Sequence, residues 1–347
     1  MMNPDRTATL DRTLQADDLQ LWLNRVSRTF ALTIRMLEEP FQTYAAAAYL
    51  LCRIVDTVED CETLSPELKC RYLRDFSARL KGSGSGRGVA PVALFDAPAT
   101  WEERLTLYES GVLDLIGGFP FPIQDIIFRY AVEMAEGMAL FLEQQDEHGY
   151  LHFETDEQLD RYCYYVAGTV GLMLNELYAS ICGLDKSASR DAAIELGIGL
   201  QLTNIVKDIQ KDVSRNIHYC PTKQNRHWPE ASASESGDDP RRELFCLASA
   251  TISHLTGGKE YILNLESNSK QYKRFCVTNY LMAWKTLETC VRNPRQTANG
   301  SGAKISRFRV YKTVLESHGC VLSDGYLNWR ADRLRRNCTS LVRASAG

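Results

Sequence analysis

Apolar residues recur at three- and four-residue intervals along most of the chain, and strand-like alternation is scarce. The spacing predicts helices near 17–37, 41–60, 65–81, 100–116, 122–144, 155–182, 187–212, 241–268, 272–292, 304–317 and 323–338. Three stretches interrupt the pattern: GSGSGRGVAP (82–91), PEASASESGDDP (229–240) and NPRQTANGSG (293–302). Their glycine, serine and proline content fits flexible connections. The first lacks the GxGxxG spacing and follows no strand, so it reads as a linker and not a phosphate cradle. No loop separates segments that look independently foldable. Residues 1–347 therefore read as a single all-α domain, with a core over about 17–317 and flexible loops near 82–98, 229–240 and 293–302.

Two of these helices carry charge in costly places. In YLLCRIVDTVED (49–60), Tyr49, Arg53, Asp56 and Asp60 share one helical face, with Glu59 beside them. In QLTNIVKDIQKD (201–212), Gln201, Asn204, Asp208 and Asp212 do the same, after the apolar run IELGIGLQL. Each helix thus offers carboxylates at i, i+4, amid residues that would otherwise be buried. Such charges demand partners or a cation. Magnesium takes one or two carboxylates together with phosphate oxygens and water. Two such faces meeting across a helical cavity suit a small Mg²⁺ cluster and a diphosphate, with Arg28, Arg53, Lys207 and Arg215 taking the remaining phosphate charge. One DxxxD alone ordinarily means a solvated face with i, i+4 ion pairs. Two of them, each flanked by apolar sequence, point to a site. A third segment, DRYCYYVAGTVGLML (160–174), sets Tyr162 and Tyr165 beside Ala167, Gly168 and Gly171. It reads either as plain core packing or as the wall of a greasy tunnel with a tyrosine hydroxyl for proton transfer.

Composition narrows the classes. With 24% charged residues, 44% hydrophobic residues and a net charge of −4 in 347 residues, nothing global points to nucleic acid. Eleven cysteines, scattered singly without a CxxC pair, read as reduced thiols in a cytosolic protein. The start MMNPDRTATLDRT lacks a signal-peptide core, and the uncharged run Tyr162 to Leu174 is too short to span a bilayer. The basic C-terminal stretch RADRLRRNCTSLVR (330–343) permits peripheral contact with an anionic membrane, its ordinary alternative being an exposed terminal helix. His148 and His152 lack an HExxH context, and no GxSxG elbow occurs, so zinc and serine-nucleophile chemistry find no support.

With these segments placed, the sequence resembles the squalene and phytoene synthase family, and its squalene synthases most closely. The matching pieces are SRTFALTI (27–34), YLLCRIVDTVED, GMALFLE (137–143), YCYYVAGTVG (162–171), QLTNIVKDIQKD, RFCVTNYLMAWKTL (274–287) and AKISRFRVYK (303–312), in family order. The resemblance implies an isoprenoid (terpenoid) synthase helical bundle with a central cavity, acting as a monomer on farnesyl diphosphate. Asp56, Glu59 and Asp60 match the first aspartate-rich motif; Asp208 and Asp212 match the second, with Asn204 close to the metals. Ser27, Arg28, Tyr49 and Arg53 match positions that grip diphosphate. Phe30, Tyr165, Gln201, Lys207 and Arg215 complete the implied substrate set, and Tyr162 matches the tyrosine of proton transfer. Head-to-head joining of two farnesyl diphosphates to presqualene diphosphate, then NADPH-dependent reduction to squalene, is the implied reaction. AKISRFRVYK resembles a basic flap beside the nicotinamide cofactor, which would set Lys304, Arg307 and Arg309 against NADPH phosphates; the same charges also fit a solvated helix start. The sequence departs from the family pattern at Cys61, at Ile217 after Arg215, and at Asn279, Tyr280 and Trp284; these bear on the phosphate clamp and on chain length. The rival readings are a dehydrosqualene- or phytoene-type synthase without reduction and a silent helical scaffold. The second would not keep two intact acidic faces.

Overall fold

The computed structural model describes residues 14, 16–27, 29–82, 94–95, 97–185, 187, 189–221, 240–266, 269–298 and 305–346. Arg28, Lys304 and most of the loops expected at 82–98 and 229–240 lie outside the described residues.

Among the described residues the chain forms α1 (Ala16–Val26), α2 (Phe30–Ile34), α3 (Phe41–Asp60), α4 (Pro66–Lys81), α5 (Trp101–Thr106), α6 (Glu109–Gly117) and α7 (Phe121–Leu142). There follow β1 (Leu151–His152), α8 (Asp156–Cys163), a π-helical turn (Tyr164–Gly168), α9 (Thr169–Cys182), α10 (Arg190–Ser214) and β2 (Ile217–His218). The chain ends with α11 (Pro240–Leu263), α12 (Lys270–Arg292), α13 (Pro294–Ala298), α14 (Arg307–Leu322) and α15 (Asp324–Ala346). The two strands pair in parallel, Leu151 with Ile217 and His152 with His218, making a clip and not a sheet layer.

Local chemistry sets many of the boundaries. Ser65 accepts the Leu68 N–H ahead of Pro66, and Thr100 with Glu103 forms a reciprocal capping box. Thr155 and Ser306 cap α8 and α14 in the same way. The helix expected over 17–37 breaks because the Ser27 hydroxyl takes the Phe30 N–H at 3.0 Å, opening α2 as a separate turn. The loop expected at 293–302 begins instead with α13, whose Thr297 and Ala298 are buried.

α12 runs through the core, with residues from Tyr272 to Val291 buried almost without interruption. Its buried Lys285 reaches Glu316 of α14 at 2.5 Å and the Thr313 hydroxyl at 3.0 Å. Arg330 of α15 bonds the same Glu316. Burial alone would raise that carboxyl, but the two cationic partners hold it below its usual range. Elsewhere α7 packs on α3, α4 and α9, and α10 packs on α11, both of which also contact α12. Where the π turn and α9 meet α10, the backbones touch. A Cβ on Gly171 would stand 2.3 Å from the Ala193 carbonyl oxygen, and one on Gly197 would stand 2.3 Å from that of Ala167.

These contacts are with backbone, which cannot yield as a side-chain tip can. Gly197→Ala is expected to destabilise the protein by about 3 kcal/mol through overpacking. Gly117→Ala, which meets nothing within 4 Å, is expected to stay near neutral. Chemical denaturation of both variants checks the contrast.

Candidate active site

The two acidic motifs sit at the C-terminal ends of their helices: Asp60 is the last residue of α3, and Asp212 lies two residues before the end of α10. A helix C-terminus already carries partial negative charge, so carboxylates there are repelled and cations attracted. The protein supplies its own cations in part. Arg53 contacts Asp56 at 2.6 Å and the Tyr49 hydroxyl at 2.8 Å, which realises the face predicted for α3. Lys69 donates to the Glu59 carbonyl oxygen at 2.8 Å, covering the end of α3. Arg215 reaches Asp60 at 2.7 Å and Asp212 at 3.5 Å, so one guanidinium joins both motifs. Ile217, which departs from the family pattern, lies in β2, and Arg215 reaches the site without it.

Arg215 holds this place because Asn216 turns the chain at φ +62°, a left-handed conformation that asparagine tolerates better than most residues. The turn leads into β2, and the β1–β2 clip lays Tyr219 against Tyr162. The Tyr219 hydroxyl donates to the Tyr162 hydroxyl at 3.2 Å, and Tyr162 donates to Glu59 at 3.4 Å. Phe141 and Phe153 pack around the pair, with ring centroids 5.2–5.6 Å from Tyr162 and Tyr219. This buried aromatic floor meets the acidic rim at Glu59. Tyr219 carries no signal in the periodicity, since it follows a two-residue strand; only the clip reveals it.

The electrostatics record the strain of grouping these acids. Burial, partly offset by Arg53 and reinforced by Asp60, pushes Asp56 up to about 6. Burial and then Asp60 push Glu59 up to about 8. Burial raises Asp212 to about 7, with Arg215 opposing and Asp60 and Asp208 adding repulsion. Burial, followed by the nearby carboxylates, lifts the Tyr162 and Tyr219 phenols well above their usual range.

The structure does not gather every residue expected from the sequence. Glu59, expected among the metal ligands, is buried at the base of the rim, where its carboxylate accepts from Tyr162. Tyr165, expected beside the substrate, lies elsewhere: the π turn carries its ring onto α7 over Gly137, where it lines an outer hollow of about 700 Å³ with Arg74, Lys81 and Arg129. Trp284, weighed as a bulky cavity residue, is fully buried, its ring perpendicular to that of Tyr280 one turn earlier. Tyr280 senses Glu260 of α11 and Asp332 of α15, so this face of α12 meets other helices. Asn279 accepts from Thr33 of α2 at 3.3 Å and is structural. Cys61 contacts the Thr63 hydroxyl at 3.2 Å. Phe30 packs on Tyr49, with centroids 5.3 Å apart, and the Ser27 hydroxyl oxygen accepts the Phe30 N–H, which leaves its O–H to donate. On α10, Gln201 is half-buried and Asn204 exposed; Lys207 bonds Asn204 at 3.3 Å and Asp208 at 3.1 Å. Arg307 and Arg309 lie exposed on the first turn of α14, and Arg309 donates to Thr289 at 3.0 Å.

Among the described residues no three Asp, Glu, His or Cys side chains already converge as a metal cage. The donor set nevertheless fits magnesium, which needs few protein ligands when phosphate oxygens supply the rest. Asp56, Asp60, Asp208 and Asp212 are hard oxygen donors at two repelling helix ends. The Arg53 Nε is buried with no partner, as a diphosphate site would leave it.

Fold and site together define an all-helical isoprenoid synthase architecture. The squalene/phytoene synthase family model matches residues 23–309, and the chain belongs to that family. The squalene synthase of Schizosaccharomyces pombe is 29% identical over 307 residues, covering 85% of this chain and 63% of that protein. That of Eremothecium gossypii is 30% identical over 310 residues, covering 86% and 68%. The chain thus spans about two thirds of the length of these relatives. A solved complex of TcSQS with the ligand BPH1237 superposes at a TM-score of 0.72 with 23% identity, covering 95% of this chain and 98% of that one, and so shares the fold.

The raised carboxyls give a signed expectation for stability. A folded pKa above the ordinary 3.8 means that Asp212 favours folding while protonated, and this contribution is lost as pH rises from about 4 through about 7. In EDTA, Asp212→Asn should therefore melt above wild type, by a margin that grows from pH 4 and levels off above pH 7. Melting curves at pH 4 and pH 8 check it, and a variant less stable at pH 8 contradicts the assignment.

Proposed function

We propose that the protein joins two farnesyl diphosphates head to head, giving presqualene diphosphate, and then yields squalene with NADPH as reductant. The observation that carries this reading is the pair of acidic helix ends standing directly over a buried tyrosine pair. Asp56 and Asp60 from α3, with Asp208 and Asp212 from α10 and Asn204 beside them, would hold magnesium. Bound magnesium supplies charge neutralisation of the diphosphate and polarisation of the allylic C–O bond. Arg53, Arg215, Tyr49, Lys207, Ser27 and Arg28 offer donors to the diphosphate, and Arg215 can exchange its carboxylates for phosphate oxygens.

Below that rim the chain excludes water and handles a proton. Phe141 and Phe153 keep the tyrosine pair dry, which protects an allylic cation from hydrolysis. The Tyr162 oxygen accepts from Tyr219 while its own proton points at Glu59. With Glu59 as the carboxylate, the form that a cation bound at the rim would favour, a proton leaving the prenyl chain on ring closure can enter at the Tyr162 oxygen as the phenolic proton passes to Glu59. For the reductant, Arg307 and Arg309 supply charge compatible with phosphate at the start of α14, and the reductive step is read from the product.

Purified protein with farnesyl diphosphate and Mg²⁺, with and without NADPH, tests the reading. Squalene is expected only with NADPH. A dehydro product unchanged by NADPH would place the chain with non-reducing synthases, and unconsumed substrate would overturn the assignment. Asp208→Asn removes a half-exposed rim carboxylate and should cost at least about a hundredfold in turnover, with melting unchanged. Tyr162→Phe should keep substrate ionisation and lose the cyclopropyl product.

A further inference from the structure

α14 is built inside out. Its inward face carries Thr313, Ser317 and Cys320, all buried, and it holds to α12 and α15 through Glu316 and Thr313. Its outward face carries Phe308, Tyr311, Leu315 and Leu322, exposed by 67–78%. At 100° per residue these four fall within about 60° of one another, opposite the packed face. Tyr326 and Trp329 of α15 continue the stripe: they stack at 5.7 Å, and the Tyr326 ring lies over Gly319 of α14. Six of the ten large exposed hydrophobic side chains in the described protein stand on these two helices. A contiguous apolar stripe of this size marks a contact surface.

Charge identifies the occupant. Residues 305–346 hold eight arginines and lysines against three acids, in a chain whose net charge is −4. All three acids are already engaged, Glu316 with Lys285 and Arg330, Asp324 with Lys273, and Asp332 with Arg335. Lys312 and Arg333 line one hollow with Leu315, Tyr326 and Trp329, and Arg333 stacks on Trp329 at 5.6 Å. Exposed leucine and phenylalanine, a tyrosine–tryptophan pair and flanking cations are what an anionic lipid surface takes up. Two copies meeting through this face about a twofold axis would set like charges against each other. No helix among the described residues is long and apolar enough to cross a membrane, so the contact is interfacial.

We propose that the α14–α15 face docks on an anionic lipid surface, with Phe308, Tyr311, Leu315 and Leu322 entering the acyl boundary and Lys312 and Arg333 meeting headgroups. The docked edge adjoins the site: Arg309 bonds Thr289, and the adjacent Cys290 senses Lys207 and Asp208. The inference rests on the stripe and its charge, independently of the reaction assigned above.

Co-sedimentation of the full chain with phosphatidylcholine vesicles, with and without 30% phosphatidylglycerol (on the order used to mimic anionic membranes), tests it. Wild type should bind the anionic vesicles and release in high salt. Leu315→Ser with Leu322→Ser should lower the partition coefficient roughly tenfold per leucine, with an unchanged melting curve. Lys312→Gln with Arg333→Gln should abolish the preference for anionic lipid. Phe121→Ser, at an equally exposed position on α7, should bind as wild type does. The proposal is overturned if wild type binds neither vesicle, or if the leucine variant binds normally. It is equally overturned if Phe121→Ser loses binding to the same degree. A concentration-dependent dimer that the leucine variant abolishes, without vesicle binding, would give the face to a second copy instead.

Discussion

Negative charge gathered at the C-terminal ends of α3 and α10 is the constraint on which the rest of the site depends. Burial is the main opposition to ionisation there, neighbouring acids add to it, and the helix dipoles act in the same direction. Such an arrangement persists only if the surrounding fold is rigid enough to hold it. The long buried α12, the backbone contact of the π turn and α9 with α10, the half-buried Arg53 and the buried Lys69 provide that rigidity. Stability is given up at the acidic rim and recovered in the apolar core, as is common where function requires strained electrostatics.

Most of the fold and the acidic rim were legible in the sequence, because each rests on a local regularity. Helical periodicity located most ends of the long helices within a few residues, but it ran 100–116 as one helix where α5 and α6 are separate and stopped at 338 where α15 continues to Ala346. The core, expected to end near 317, continues through Leu327, Leu334 and Val342. The i, i+4 spacing placed Asp56 with Asp60 and Asp208 with Asp212. What escaped depends on contacts between distant segments. The break at Ser27 comes from one side-chain hydrogen bond that competes with the helix. The π turn, and with it the departure of Tyr165, follows from close approach to other helices. Tyr219 owes its place to a parallel pairing of two residues with two, too short to leave a pattern. Arg215 looked displaced along the chain from a phosphate clamp; the left-handed turn at Asn216 returns it to both acidic motifs.

The same limit explains α14. Its apolar residues have helical spacing, which ordinarily signals burial, and its small polar residues look like the solvent side. The reverse holds, because α12 offers Lys285 and Thr289 to this helix and so selects polar partners from it. Periodicity reports that a helix is two-faced; which face turns inward is decided by the neighbour.

The placement of Arg215 has a consequence for the order of events at the rim. While it spans Asp60 and Asp212, the rim carries a tethered counterion, and any cation drawn to these carboxylates would compete with it at very high local concentration. On the proposed function, a diphosphate arriving with magnesium would remove that competition, since the guanidinium would gain a new anion as it gave up the old ones. Such a rim would act as an exchange, admitting cation and anion together more readily than either alone.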